Sequence, residues 1–106
     1  MDDWENAKTI EECTEMAIVD CYDKYEQASG WCCCLGDIFA DVKMVKIFEE
    51  EVKLKKLDLV NNLNIVVAIC EKKGKTIKVT LDSLELINPI KAQELWLEAW
   101  LEWTDL

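Results

Sequence analysis

The sequence predicts an α+β fold: a long N-terminal helix, a small curved antiparallel sheet of four or five strands of the SH3-like kind, and a C-terminal helix. Three observations point there. Apolar or compact residues recur at steps of three and four from Ile18 to Phe39, the spacing that keeps side chains on one side of an α-helix. Short alternating or apolar runs broken by turn residues then fill Val42 to Ile87, as in a meander of strands. After Asn88-Pro89 the helical period returns, with Leu95, Trp96, Ala99, Trp100 and Trp103 on one face. A chain of 106 residues is expected to form one domain over 1–106.

Thr9 can cap the first helix, and Glu12 three residues on completes a capping box. The helical period runs from there to about Ala40, with Ile18, Cys21, Tyr25, Ala28, Cys32, Leu35 and Phe39 as the core-facing stripe. Gly30 and Gly36 each cost about 1 kcal/mol against alanine inside a helix. A kink or a break is therefore expected near Gly30-Trp31 or Gly36-Asp37, and close approach of another element is the simpler account of Gly30. Val42–Ile47 and Val52–Lys55 read as strands separated by Glu49-Glu50-Glu51. Leu63–Cys70 reads as a strand buried on both sides, joined through the turn Glu71–Lys75 to Thr76–Leu81 in a hairpin. A short turn at Asp82-Ser83-Leu84 leads to Glu85–Ile87. Asn88 is placed as cap and Pro89 as first residue of the last helix. Three tryptophans on that helix imply docking onto the rest of the fold, with Glu94, Glu98 and Glu102 facing outward.

Hydrophobic residues make up 51% of the chain, enough for a packed core in place of a disordered acidic segment. The net charge is −10, every cation is a lysine and there is no histidine. Such a surface is repelled by phosphate backbones and anionic lipid heads, so no nucleic-acid and no membrane partner is expected. Metal ions and basic protein segments are favoured. Without histidine, Ser-His-Asp and Cys-His catalysis and imidazole zinc sites are excluded. No apolar run approaches the ~18–20 residues that span a bilayer. The opening Met1-Asp2-Asp3-Trp4-Glu5 has neither the basic start nor the apolar block of a secretory signal, so a cytoplasmic protein is expected. The cysteines (Cys13, Cys21, Cys32, Cys33, Cys34 and Cys70) form no C-x-x-C pair and read as reduced, small core residues, a thiolate site or redox switch being the alternative.

Opposite the apolar stripe lie Asp20, Asp23, Glu26, Asp37 and Asp41, all within roughly 60° of the direction of Asp23 on a continuous helix. Like charges three or four residues apart repel by a few tenths of a kcal/mol per pair, and Lys24 is the obvious relief, beside Asp20. A hard divalent cation would relieve the repulsion, and an oxygen-only donor set suits Ca²⁺ or Mg²⁺ better than transition metals. On one helix Asp23 and Asp37 stand about 21 Å apart, so either two sites exist or the chain folds back at a glycine. A convex face cannot supply the six to eight oxygens calcium takes, leaving waters or loops such as Glu49-Glu50-Glu51 and Asp82 to complete the shell. No EF-hand loop is present. Charge spacing alone favours a solvated acidic face.

The segment Ile18-Val19-Asp20-Cys21-Tyr22-Asp23-Lys24-Tyr25-Glu26-Gln27-Ala28-Ser29-Gly30-Trp31 resembles the cyanobacterial calcium-binding protein CcbP family. The shared pattern is D-x-Y-D-x-x-E followed by G-W, then a strand ending Thr-Leu-Asp-Ser-Leu-Glu-Leu and a tryptophan-bearing C-terminal helix. The resemblance implies a non-enzymatic protein that binds Ca²⁺ through surface carboxylates without an EF-hand, as a buffer or in signalling. Position by position it implicates Asp20, Asp23 and Glu26, and then Asp37. The sequence departs from the family after Gly30-Trp31, where Cys32-Cys33-Cys34 replaces aromatics; helical spacing points Cys34 toward the acidic stripe. Two other readings compete. One is an SH3-like interaction module whose acidic surface takes a basic partner, with a groove lined by Trp4, Tyr22 or Trp31. The other is a thiol sensor at Cys33 or Cys34. An enzyme is least supported, because no isolated carboxylate pair stands out for acid–base work.

Overall fold

A computed structural model describes residues 6–60, 62 and 64–104. In chain order the elements are α1 (Ile10–Ile18), α2 (Lys24–Ile38), β1 (Met44–Ile47), β2 (Glu50–Val60), β3 (Ile65–Lys72), β4 (Lys75–Thr80), β5 (Leu84–Leu86) and α3 (Lys91–Thr104), with a 3-10 turn at Leu81–Ser83. Trp4 and Leu63 lie outside the described residues. No described helix is long and apolar enough to cross a membrane.

The α+β class holds, but the single long N-terminal helix does not: it is two helices joined by Val19–Asp23. The break falls at neither glycine, since Gly30 and Gly36 both lie inside α2. It falls where Val19 turns extended (φ −56, ψ 132) and Asp20 adopts a left-handed conformation at φ 59, one of the few side chains that tolerates it. Asp23 then restarts the helix as N-cap, its side chain accepting from the Glu26 N–H at 2.8 Å. At the start of α1 the expected capping box is present, with Glu12 N–H on Thr9 Oγ1 and Thr9 N–H on Glu12 Oε1. Because the two helices are separate, the buried face of α2 is Ala28, Trp31, Leu35 and Ile38, and Tyr25 is 49% exposed.

Gly30 sets how the two helices meet. A Cβ built there would overlap the carbonyl oxygen of Ala17 and stand 3.4 Å from Cys21 Sγ, so the last turn of α1 lies directly against the α2 backbone. Close approach is thus the reason for this glycine. Trp31, its neighbour, is fully buried and packs on α3, with ring centroids 5.9 Å from Trp96, 5.6 Å from Trp100 and 5.8 Å from Trp103. The first two contacts are edge-on, the arrangement aromatic quadrupoles prefer.

The sheet is antiparallel with strand order β4-β3-β2-β1-β5. It is open, with β4 and β5 as its two edges. Two hairpins turn on two residues each, Phe48-Glu49 (φ 52 and 67) and Lys73-Gly74 (φ 52 and 78). Positive φ at both central positions matches the right-handed strand twist. Glu50 and Glu51 are consequently strand residues rather than a separator, and β2 runs eleven residues to Val60. Its register shifts between Leu54 and Lys56, a bulge that returns Lys56 to the solvent face opposite Ile69. Val45, Val52, Leu54, Val66, Ala68 and Cys70 pack against Ala17, Leu35, Ile38, Ala99 and Trp100 as the core.

The last helix begins at Lys91, two residues later than Pro89 suggests. Asn88 is left-handed at φ 49 and does not cap it. Instead Gln93 Oε1 accepts from the Ile90 N–H at 3.1 Å, and the Gln93 and Glu94 N–H groups bond the Ile90 carbonyl. Buried Gln93 also donates from Nε2 to the Ile38 carbonyl at 3.2 Å, satisfying one of the carbonyls left open where α2 ends.

The two glycines of α2 give opposite expectations. Gly30→Ala forces backbone apart and should cost about 1–3 kcal/mol or more, as overpacking does. Gly36→Ala meets nothing within 4 Å and should gain about 0.5–1 kcal/mol from helix propensity. Urea midpoints at matched slope measure both; equal shifts would contradict the close approach.

Candidate metal centre

Asp20, Asp23 and Glu26 are all exposed and belong to one corner, the α1–α2 connection and the first turn of α2. Cys21 N–H bonds the Ile18 carbonyl at 3.0 Å, which turns the chain and leaves Asp20 at the bend. Asp23 Oδ1 accepts from Glu26 N–H, and Glu26 Oε1 accepts in return from Tyr22 N–H at 3.0 Å. Each of these two carboxylates thus gives one oxygen to the cap. The D-x-x-E spacing is at once a helix start and a cluster of acids.

The half-buried Cys21 thiol lies in the same corner, beside Gly30. Its pKa is raised first by burial, then by Glu26, Asp20 and Asp23, each of which opposes a negative sulfur. Cys21 Sγ also donates to the Val19 carbonyl at 3.4 Å. Two apolar side chains stand exposed in the same corner, Val19 at 64% and Tyr22 at 86%.

Asp37 and Asp41 are exposed at the opposite end of α2, and Asp37 is about 21 Å from Asp23 along the helix axis. The electrostatics of the two ends differ. Asp23 and Glu26 sit on the positive end of the α2 dipole, which already favours their charge; Asp37 adds its charge to the negative end. Of the loop acids named as completing ligands, Glu50 pairs with Lys72 and Asp82 Oδ1 accepts from the Thr80 hydroxyl. Among the described residues, no three Cys, Asp or Glu side chains are grouped so as to hold one ion. The donor set at the corner suits a hard cation in kind, being carboxylate and carbonyl oxygen. In number it falls short, so bound waters or movement of side chains must supply the remaining ligands.

The cysteine run is placed differently from the helical-stripe expectation. No disulfide joins any two of the six cysteines. Cys33 is exposed, while Cys34 is half-buried against the core and acts electrostatically on Cys13 of α1, away from the acidic corner. Trp31 is fully buried and lines no groove with Tyr22.

No protein-family model and no curated protein matches the sequence. Two solved structures match the fold over most of the chain. Anabaena CcbP superposes with a TM-score of 0.74 at 21% identity, covering 89% of this chain and 86% of that one. The chain has the CcbP fold. A calcium-binding protein in its calcium-binding form superposes with a TM-score of 0.72 at 23% identity, covering 99% of this chain and 96% of that one. At these identities the CcbP likeness is one of architecture: a helical hairpin, an open antiparallel sheet and a C-terminal helix laid on both.

The double role of Asp23 makes a separable expectation. Asp23→Ala removes the α2 cap and should cost about 0.5–2 kcal/mol, whereas Asp23→Asn keeps a capping oxygen and should cost little. Thermal melts in a metal-free buffer distinguish them; two variants equally destabilised would mean that charge, not capping, stabilises the helix start.

Proposed function

We propose that this protein is a non-enzymatic Ca²⁺-binding protein, a buffer or signalling component, which holds the ion through surface carboxylates without an EF-hand. The observation that carries the reading is the match, over 99% of the chain, to a calcium-binding protein in its calcium-binding form. The D-x-Y-D-x-x-E segment and the anionic surface, with a net charge of −10, support it. Asp20, Asp23 and Glu26 form the first site, with Asp23 and Glu26 each offering calcium an oxygen beyond the one used in the cap. Asp37 and Asp41 form a second, because one ion cannot reach both ends of α2. Calcium tolerates the irregular shell that a bend and a helix turn offer, and Mg²⁺, which demands a tight octahedron, does not.

A second reading is an interaction module whose acidic surface takes a basic protein partner. Exposed Tyr22 and Val19 beside three carboxylates favour it, since a lysine or arginine could pair with the acids while its stem covers the apolar surface.

The first reading expects Ca²⁺ to stabilise the fold by RT ln(1 + [L]/Kd), about 2.7 kcal/mol at a hundredfold excess over Kd. Melts with millimolar CaCl₂ and with chelator should separate at matched ionic strength, and calorimetry should show Ca²⁺ bound more tightly than Mg²⁺. Asp23→Asn should lose calcium affinity, while Glu94→Gln on exposed α3 surface should keep it. Coincident melts defeat the calcium reading; equal losses in the two variants defeat the site.

A further inference from the structure

We propose that Cys13 and Cys34 are a redox pair that closes into a disulfide across the α1–α2 hairpin. The geometry follows from the contact of Gly30 with the Ala17 carbonyl. The chain turns back between the helices through the five residues Val19–Asp23. Cys13 lies one helical turn before Ala17 and Cys34 one turn after Gly30, so stepping away from the contact on both helices brings the two cysteines opposite one another. Ordinary helix pairs stand 8–10 Å apart, and a glycine at the crossing draws them closer. That is the regime in which Cα atoms come within the ~4.4–6.8 Å a disulfide spans.

Both side chains face the shared interior. Cys13 is fully buried in the core and Cys34 packs against that core. The Cys13 thiol is pushed up to about 11 by burial first and Glu12 next, with Cys34 among the further contributors, which places the two sulfurs within electrostatic reach. Their neighbours lead elsewhere: Cys33 is exposed to solvent, and Cys32 is influenced by Asp58 of β2.

The chemistry uses a small-molecule disulfide as oxidant. Half-buried Cys34, as thiolate, attacks one of its sulfurs and releases one thiol, leaving a mixed disulfide on Cys34. Cys13, deprotonated, then attacks the Cys34 sulfur and expels the second thiol. Two protein thiols are oxidised, one disulfide is reduced, and the two protons end on the released thiols. Since Cys13 is mostly protonated below about 11, closure is slow at neutral pH and should accelerate about tenfold per pH unit as its thiolate fraction grows. The device is independent of calcium; it covalently joins the helices on either side of the Asp20–Asp23 bend.

The test treats the reduced full-length protein with glutathione disulfide at several pH values between 7 and 9, followed by peptide mapping without reduction. A linked pair of peptides containing Cys13 and Cys34, two hydrogens lighter than their sum, is expected. Its rate should rise with pH, and a higher Tm should revert on adding dithiothreitol. Cys33→Ser should leave the link intact and Cys34→Ser should abolish it. The wild-type map decides the matter even if Cys34→Ser fails to fold. Cys13 still reduced at pH 9 after Cys33 is fully glutathionylated would overturn the proposal, as would Cys13 linked to a different cysteine or a product consisting only of Cys33-joined dimers.

Discussion

The absence of a side chain at Gly30 governs the helical layer. It lets the end of α1 rest on the α2 backbone, and that contact fixes which way Trp31, the next residue, points. Trp31 in turn is the ring that Trp96, Trp100 and Trp103 surround, so the seat of α3 depends on a contact made at the opposite side of α2. The arrangement has a cost. Trp31 Nε1 is buried without a hydrogen-bond partner, a penalty of about 1–3 kcal/mol that the packing of four large rings must outweigh.

The acidic corner exists because a helix has to begin there. Two of its three carboxylates each give one oxygen to a backbone N–H at the positive end of α2, and a cation arriving at their other oxygens meets the opposing field of the helix dipole. Any ion bound at this corner is therefore coupled to the start of α2, the element that carries Gly30 and Trp31. The far pair, Asp37 and Asp41, meets the opposite field, where a cation would offset both the side chains and the helix end. The two ends of one helix thus present unequal fields to a cation, although both carry carboxylates.

Local signals were legible in the sequence wherever one short segment decides the structure. The Thr9–Glu12 box, the Lys73-Gly74 hairpin and the apolar face of α3 each follow from a few neighbouring residues. The break between α1 and α2 was hidden, because the apolar steps through Ile18, Cys21 and Tyr25 continue across it as if the helix did not stop. Asp23 and Glu26 read as ligands, and their capping role went unseen although the spacing is that of a cap. Phe48-Glu49 carries no glycine or asparagine to mark a tight turn; the pairing of β1 with β2 imposes its left-handed backbone. The openness of the sheet depends on where β5 docks, beside β1, which no local pattern encodes. Among the acids of the stripe, Asp20, Asp23 and Glu26 are near one another in the sequence, Glu26 and Asp37 share α2, and Asp20 and Asp41 lie outside that helix.

The tryptophan cluster also gives the molecule a particular optical character. Among the described residues, four indoles have centroids within 6 Å of a neighbour, close enough to exchange excitation energy faster than they emit. Light absorbed by any of them is shared, and the emitted colour and yield belong to the cluster as a whole. Trp31 rides on α2 and the other three on α3, so a small rotation of one helix against the other re-aims one transition dipole relative to three. The fold thereby carries a built-in, label-free gauge of the angle between its two longest helices.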